Sequence, residues 1–302
     1  MFSLISVKRV IIDLPKVFFS KKKSKLYIII GPCSVSNIKD FYFYINKLKK
    51  IFTKNYVVII RIYYEKPRSS IGWKGYIYDP YLDNSYSIID SIYILRNLMI
   101  NIIKKNMLIG VECLNFYLTN YFIDLIFWVC LGARTMLSQI HREYCSNLKC
   151  IVAIKNELSG KISYLKDTFI AISNKHYYID FSNNRKFTSS LGNLNCHFVL
   201  RGGNLPNFVN LNKLDIKPLI VDCSHMNSNK YAINQLYVYE NVLNQFLYLK
   251  TNIIGFMLES NLNFGKQTLN NNFIGVSITD SCINLKFTKI LILLLNNINV
   301  KL

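Results

Sequence analysis

The chain has 302 residues with a formal net charge of +20; 51% are hydrophobic and only 18% charged. That supports a full core, excludes a disordered or low-complexity protein, and fits one large domain or two modest ones. Its longest apolar stretches, residues 125–130 and 290–295, fall far short of the ~18–20 residues a membrane span needs, and residues 1–7 lack the basic start of a signal peptide, so a cytoplasmic protein with no membrane partner is expected.

In chain order, short apolar and β-branched runs recur at 26–30, 57–62, 108–111, 129–133, 151–154, 197–200, 219–221 and 253–258. Near-continuous apolar runs of this length read as parallel strands buried on both faces. Segments with helical spacing, such as 88–104 and 231–249, lie between them, and residues 168–190 have room for an extra hairpin. Eight such strands alternating with helices predict an α/β fold, a (β/α)8 TIM barrel spanning 26–302 behind a short N-terminal extension, 1–25.

Each run is followed by residues able to bind a charged group or a metal. In order these are Gly31-Pro32-Cys33-Ser34, Arg61 with Glu65-Lys66-Pro67-Arg68, Glu112, Arg134, Lys155, Arg201-Gly202-Gly203, Ser224-His225 and Glu259-Ser260. For any single one, a solvated strand end is an adequate account. In a barrel all eight ends open into one mouth, where active sites are built.

Arginine is rare here: only Arg9, Arg61, Arg68, Arg96, Arg134, Arg142, Arg185 and Arg201. An arginine kept in a lysine-rich chain is expected to do what lysine cannot. The lysines are scattered, and with abundant Asn, Ile, Tyr and Phe they read as compositional drift, so no nucleic-acid partner is expected. The eight cysteines show no Cys-x-x-Cys pairing, which argues against a disulfide framework or structural zinc; Cys130, Cys150 and Cys196 read as buried thiols.

Arg61, Lys66, Arg68, Arg134, Lys155 and Arg201 would gather around one cavity. Guanidinium forks match phosphate and carboxylate oxygens, so this excess suits two phosphorylated substrates, or a phosphate and a carboxylate. Cys33, His225, Glu259 and Asp280 form a mixed S/N/O donor set, suited to a borderline divalent ion such as Mn, Fe, Co or Zn.

Taken together, the motifs resemble the type I microbial family of 3-deoxy-D-arabino-heptulosonate-7-phosphate (DAHP) synthases. They are Gly31-Pro32-Cys33-Ser34, Arg61-Ile62-Tyr63-Tyr64-Glu65-Lys66-Pro67-Arg68-Ser69-Ser70, Gly72-Trp73-Lys74-Gly75, Gly132-Ala133-Arg134-Thr135, Ser138-Gln139-Ile140-His141-Arg142-Glu143, Lys155-Asn156, Leu200-Arg201-Gly202-Gly203, Asp222-Cys223-Ser224-His225, Glu259-Ser260 and Ser277-Ile278-Thr279-Asp280. The match is colinear over about 28–283, and the Lys-Pro-Arg-Ser and Gly-Trp-Lys-Gly segments are its most specific parts.

The resemblance implies a metal-dependent barrel that condenses phosphoenolpyruvate with D-erythrose 4-phosphate, the first step toward chorismate. It implies metal ligands Cys33, His225, Glu259 and Asp280. Phosphoenolpyruvate would meet Arg61, Lys66, Arg134, Lys155 and Arg201, and erythrose 4-phosphate Lys66, Pro67, Arg68 and Ser69. Lys66, Glu112 and His141 would be catalytic, and a homo-oligomer, dimer or tetramer, is expected.

Departures accompany the match. Ser69 replaces the usual Thr, Met136-Leu137 replaces Thr-Glu, and Asn261 and Lys266 stand where His and Asn are common. The turn after Lys155 has worn to Asn156-Glu157-Leu158-Ser159-Gly160, and residues 174–190 match poorly. With a short extension and the charge of Lys149, this divergence predicts weak or no inhibition by aromatic amino acids.

Three alternatives stand beside this reading. A 3-deoxy-D-manno-octulosonate-8-phosphate synthase would carry an Asn-containing segment in place of Lys66-Pro67-Arg68-Ser69. A basic nucleic-acid-binding protein would cluster its lysines with exposed aromatics. A degenerate, non-catalytic barrel would have no reason to keep all four ligands.

Overall fold

The computed structural model describes residues 26–53, 56–180, 186–249, 251–271 and 273–299; the expected extension, 1–25, lies outside the described residues. Eight parallel strands close into a barrel in chain order. They are β1 (Tyr27–Gly31), β2 (Val57–Arg61), β3 (Leu108–Cys113), β4 (Trp128–Leu131), β5 (Ile151–Lys155), β8 (Cys196–Leu200), β9 (Leu219–Asp222) and β10 (Ile253–Glu259), with β10 pairing back onto β1. All eight expected runs become strands, each within two residues at either end.

Helices α1 (Ile38–Leu48), α2 (Ile88–Ile103), α4 (Gln139–Ser146), α5 (Ser163–Ser173), α6 (Asn234–Tyr248) and α7 (Leu285–Asn299) form the outer layer. Two connections are thinner. β3 leads to β4 through a one-turn α3 (Phe116–Thr119) and a 3-10 turn (Ile123–Leu125), and β8 reaches β9 through a 3-10 turn alone (Leu211–Lys213). The expected hairpin is present as β6 (Tyr177–Asp180) and β7 (Lys186–Ser189), antiparallel and separate from the barrel. α6 starts three residues later than its apolar spacing suggests, because residues 231–233 form tighter turns, the N–H groups of Asn234, Gln235 and Leu236 bonding the carbonyls three residues back. Among the described residues, no helix is long and apolar enough to cross a membrane.

Strand alternation divides the core. Ile28 and Ile30 of β1 pack with the helical layer, whereas Tyr27 and Ile29 face the barrel interior with Ile59, Val199, Ile220 and Met257. The lower interior also holds a polar pair. The Trp128 indole N–H donates to His197 Nε2 at 2.7 Å, which puts the imidazole proton on Nδ1, 3.2 Å from the Phe198 carbonyl. All eight cysteines are buried and free, as expected for Cys130, Cys150 and Cys196.

Burial pushes His197 down to about 4. The unfolded chain therefore takes up a proton below the ordinary histidine pKa of ~6.5 while the fold does not, so stability is lost as pH falls from about 6.5 to about 4, by on the order of 3 kcal/mol. His197→Gln keeps an acceptor for Trp128 but cannot titrate. The melting-temperature advantage of the wild type over this variant should shrink between pH 7.5 and pH 5; a gap independent of pH would contradict this account.

Candidate active site at the barrel mouth

The upper interior is polar, beginning at the last residue of each strand. Arg61 ends β2 and is fully buried. It fits because Gly31 is its neighbour on β1: a Cβ there would lie 2.6 Å from both Arg61 Cγ and its carbonyl oxygen. The guanidinium donates from Nη2 to Glu259 Oε1 at 2.9 Å and stacks on the Tyr63 ring at 4.0 Å. Its Nε and Nη1 are buried and have no protein partner among the described residues, donors suited to an anion. Gly132 performs the same service for Glu112, since a Cβ there would meet Glu112 Oε1 at 2.2 Å.

Glu259, at the end of β10, is the hub. It accepts from Arg61 and, at 2.7 Å, from the Ser224 hydroxyl. His225 Nε2 lies 3.6 Å from its Oε1. Burial alone would raise its pKa, but His225, Arg61 and Lys66 outweigh this and hold it at about 2. The backbone N–H and C=O of Glu259 are both bonded by the buried Gln235 amide, at 2.9 and 3.1 Å.

Cys33, Glu259 and Asp280 bring one donor atom each within 4.8 Å of one another. His225, the fourth expected ligand, touches this group through Glu259. Burial and the nearby Glu259 push the Cys33 thiol up, against the opposing pull of Lys66, whose Nζ lies 3.1 Å from the sulfur. A thiolate, two carboxylates and an imidazole fit a borderline divalent ion, which deprotonates a coordinating thiol outright.

A cavity of about 460 Å³ opens above this floor. Lys66, Pro67, Arg68, Ser69, Glu112, Arg134, Lys155, Arg201, His225 and Asp280 all line it. Of the six expected cations five line this cavity, the fully buried Arg61 does not, and not all six are unpaired. Arg61 faces Glu259, Lys155 lies 3.2 Å from Asp222, and Lys66 faces the Cys33 sulfur. Among the described residues, the Arg68, Arg134 and Arg201 side chains bond only neutral groups: the Trp73 carbonyl, the Ser69 hydroxyl and the Gly202 carbonyl. The uncompensated charge is thus at the upper wall.

His141 is not brought into this cavity. It borders a more open neighbouring one of about 510 Å³ shared with Lys66, Pro67, Arg68 and Arg134. Its ring nitrogens meet Ser138 Oγ at 2.8 Å and the Leu114 carbonyl at 2.9 Å, and Phe116 packs edge-on against it.

Three contributors were given no role in the sequence reading, although Asp222 and Asn156 stand in its motifs. Asp222, fully buried at the end of β9, lies 2.8 Å from His225 Nδ1 and also faces Lys155. Burial opposes its charge, but His225 and Lys155 hold it well below the usual carboxylate range. Asn156 accepts from the Arg201 N–H at 2.8 Å and donates to the Gly202 carbonyl at 3.2 Å, joining the ends of β5 and β8. Lys230 adds a further cation to the cavity wall. Only Asp222 carried a usable signal, a carboxylate closing an otherwise apolar strand.

A sequence profile of the DAHP synthetase I family matches residues 10–292. The phospho-2-dehydro-3-deoxyheptonate aldolase of Haemophilus influenzae is 35% identical over 281 residues, covering 87% of this chain and 78% of that protein. The Phe-sensitive enzyme of that name from Escherichia coli is 34% identical over 291 residues, covering 90% and 83%. The solved structure of the Francisella tularensis phospho-2-dehydro-3-deoxyheptonate aldolase superposes with a TM-score of 0.84 at 34% identity, covering 90% of this chain and 84% of that one.

Asp222 is placed to orient the His225 ring, and loss of such an outer partner typically costs 10–100-fold in metal affinity. Asp222→Asn should weaken Mn2+ binding, measured by calorimetric titration, by roughly that factor. Unchanged affinity would remove Asp222 from the metal centre.

Proposed function

The chain belongs to the DAHP synthetase I family, and from that premise we infer how its mouth divides the work of the family reaction. The reaction is the condensation of phosphoenolpyruvate with D-erythrose 4-phosphate and water to DAHP and phosphate. We assign Cys33, His225, Glu259 and Asp280 to a divalent ion. Lewis acidity toward the aldehyde oxygen is the chemistry such an ion supplies when bound.

Phosphoenolpyruvate fits the deep cations Arg61, Lys66, Lys155 and Arg201, with Arg134 at the edge. The unpartnered Nε and Nη1 of Arg61 carry this assignment. Erythrose 4-phosphate fits the wall formed by Lys66, Pro67, Arg68 and Ser69, where Arg68 donates to the Trp73 carbonyl at 2.8 Å and Arg134 donates to Ser69 Oγ at 2.9 Å. C3 of phosphoenolpyruvate then attacks the aldehyde carbon, water adds at C2 as positive charge develops there, and phosphate departs by C–O cleavage.

Lys66 acts in this scheme as a fixed cation. Burial would lower its pKa, but Cys33, Glu259 and Glu112 outweigh burial and push it up to about 12, so it stays protonated near neutrality and stabilises the developing phosphate charge instead of abstracting protons. Glu112 faces the same cavity and is the carboxylate available to the incoming water. His141, with both ring nitrogens engaged, supports the turn after β3. Activity in the cytoplasm as a homo-oligomer completes the proposal.

A second cavity, of about 450 Å³, lies at the opposite end of the barrel, bordered by Ile123, Tyr144, Leu148, Lys149 and Tyr178. The relatives' names include Phe-sensitive and Tyr-sensitive forms. With a lysine on the wall of this cavity, weak or no inhibition is expected for this chain.

The direct test is phosphoenolpyruvate consumption with erythrose 4-phosphate or arabinose 5-phosphate, before and after chelation and on adding Mn2+. Turnover only with the four-carbon sugar, lost on chelation and restored by the ion, is the expected result. Lys66→Ala should lower kcat by roughly 100-fold or more. Arg68→Lys should chiefly raise KM for erythrose 4-phosphate, about tenfold, because the charge remains but the fork is lost. Equal rises for both substrates would refute the division of the mouth. Millimolar phenylalanine, tyrosine or tryptophan should leave more than half the initial rate; strong inhibition at micromolar levels would reveal a working effector site.

A further inference from the structure

Glu65 has no part in the scheme above, yet it is a carboxylate only 3% exposed, directly before Lys66. The chain leaving β2 doubles back tightly here. The Lys66 N–H donates to the Lys74 carbonyl at 2.8 Å and the Ile77 N–H to the Tyr64 carbonyl at 3.1 Å. Gly75 (φ 113°) makes the approach possible, since a Cβ there would lie 2.2 Å from the Tyr64 oxygen and 2.7 Å from Glu65 Cα.

Inside this fold-back, Glu65 uses both carboxylate oxygens. Oε1 accepts from the Tyr78 hydroxyl at 3.2 Å, and Oε2 accepts from the Asn115 N–H at 3.1 Å. The Asn115 side-chain amide closes the triangle by donating to the Tyr78 oxygen at 3.4 Å. Asn115 also caps α3, accepting from the Tyr117 and Leu118 N–H groups. The triangle therefore ties the loop that carries Lys66-Pro67-Arg68-Ser69 to the turn that follows Glu112 and β3.

We propose that Glu65 is a positioning residue, whose two-oxygen grip on Tyr78 and Asn115 sets the seat of the Lys66–Ser69 wall and thereby the affinity for the aldose phosphate. The proposal rests on the assignment of that wall to erythrose 4-phosphate.

With both oxygens accepting, the network as it stands uses the ionised carboxylate: a proton on Oε1 would reverse the Tyr78 bond and turn that hydroxyl hydrogen away. A proton on Oε2 would set donor against donor at Asn115. Burial pushes Glu65 up to about 7, with the Asn115 and Tyr78 donors pulling the other way. Glu112 on β3 adds repulsion, while Lys66 and Lys74 stand on the same loop. From the barrel, Tyr64 and Cys113 face it, both with pKa values raised by burial. Arg134 and His141 border the same open cavity. A Glu65 variant separates the contribution of Glu65 from that of these neighbours. The wall should loosen as Glu65 takes up its proton below about 7.

The test measures KM for each substrate and kcat from pH 6 to 8.5 in the wild type, Glu65→Gln and Tyr78→Phe. All three share the substrate's own phosphate titration, so differences between them report the protein. Wild-type KM for erythrose 4-phosphate should fall several-fold from pH 6 to 8 relative to Glu65→Gln. At pH 8 the variant should lie about tenfold higher, with KM for phosphoenolpyruvate within twofold. Tyr78→Phe, which keeps the charge and loses one donor, should shift the same KM by less and retain the pH dependence.

Parallel pH profiles in wild type and Glu65→Gln would overturn the proposal. So would a lowered melting temperature with both KM values unchanged, the mark of a merely structural carboxylate. Equal rises in both KM values would overturn the assignment of the wall along with it. If Glu65→Gln fails to fold, an unchanged erythrose 4-phosphate KM in Tyr78→Phe is the refuting result.

Discussion

Everything at the mouth depends on burying charge where the barrel closes. Arg61 and Glu259 form an ion pair at 2.9 Å with both side chains fully buried. Taking two such charges out of water costs several kcal/mol each, and their attraction offsets that only with good geometry and further hydrogen bonds. Glu259 obtains those bonds from Ser224 and from the Gln235 amide on its backbone. Arg61 obtains fewer, with two nitrogens unpartnered. The pair is a poor device for stability and a good one for holding charge still, which is what an electrostatic site needs.

The same constraint explains which parts of the structure were legible beforehand. Strands buried on both faces leave uninterrupted apolar runs, so all eight could be read and so could the polar residues that end them. The bonds that hold those polar residues in place could not. Asn156 gripping Arg201, Gln235 bracing Glu259 and Asp222 turning His225 are pairs 45, 24 and 3 residues apart; even the local pair needs its strand register before it means anything. His141 shows the converse. It belongs to a recognisable motif, yet it bonds Ser138 and the Leu114 carbonyl and is not among the residues lining the main cavity, and a linear motif does not carry such contacts.

Arginine scarcity proved informative in two ways. Arg61, Arg68, Arg134 and Arg201 all take part in the mouth, where forked donors match phosphate and carboxylate. Arg96 uses its fork elsewhere, bonding both carboxylate oxygens of Asp124 at 2.8 and 2.6 Å and the Tyr121 carbonyl at 2.7 Å. This pins α2 to the short β3–β4 connection, made of the one-turn α3 and a 3-10 turn. At the mouth, by contrast, each arginine side chain bonds the protein through a single nitrogen among the described residues.

A drifting, lysine-rich composition can be tolerated because the two ends of the barrel answer to different demands. The lower interior is closed by apolar packing and the Trp128–His197 bond, in which volume matters and many apolar exchanges conserve it. The upper interior is built from charges whose separations decide whether each is neutralised or available. Lysine accumulates on the surface at little cost, since exposed charges are screened within about 10 Å. It cannot replace Arg61, because a compact ammonium held by Glu259 has no second, separate nitrogen in a planar fork to present to an anion. Drift is therefore absorbed by the surface and slowed at the strand ends by the geometry of buried charge.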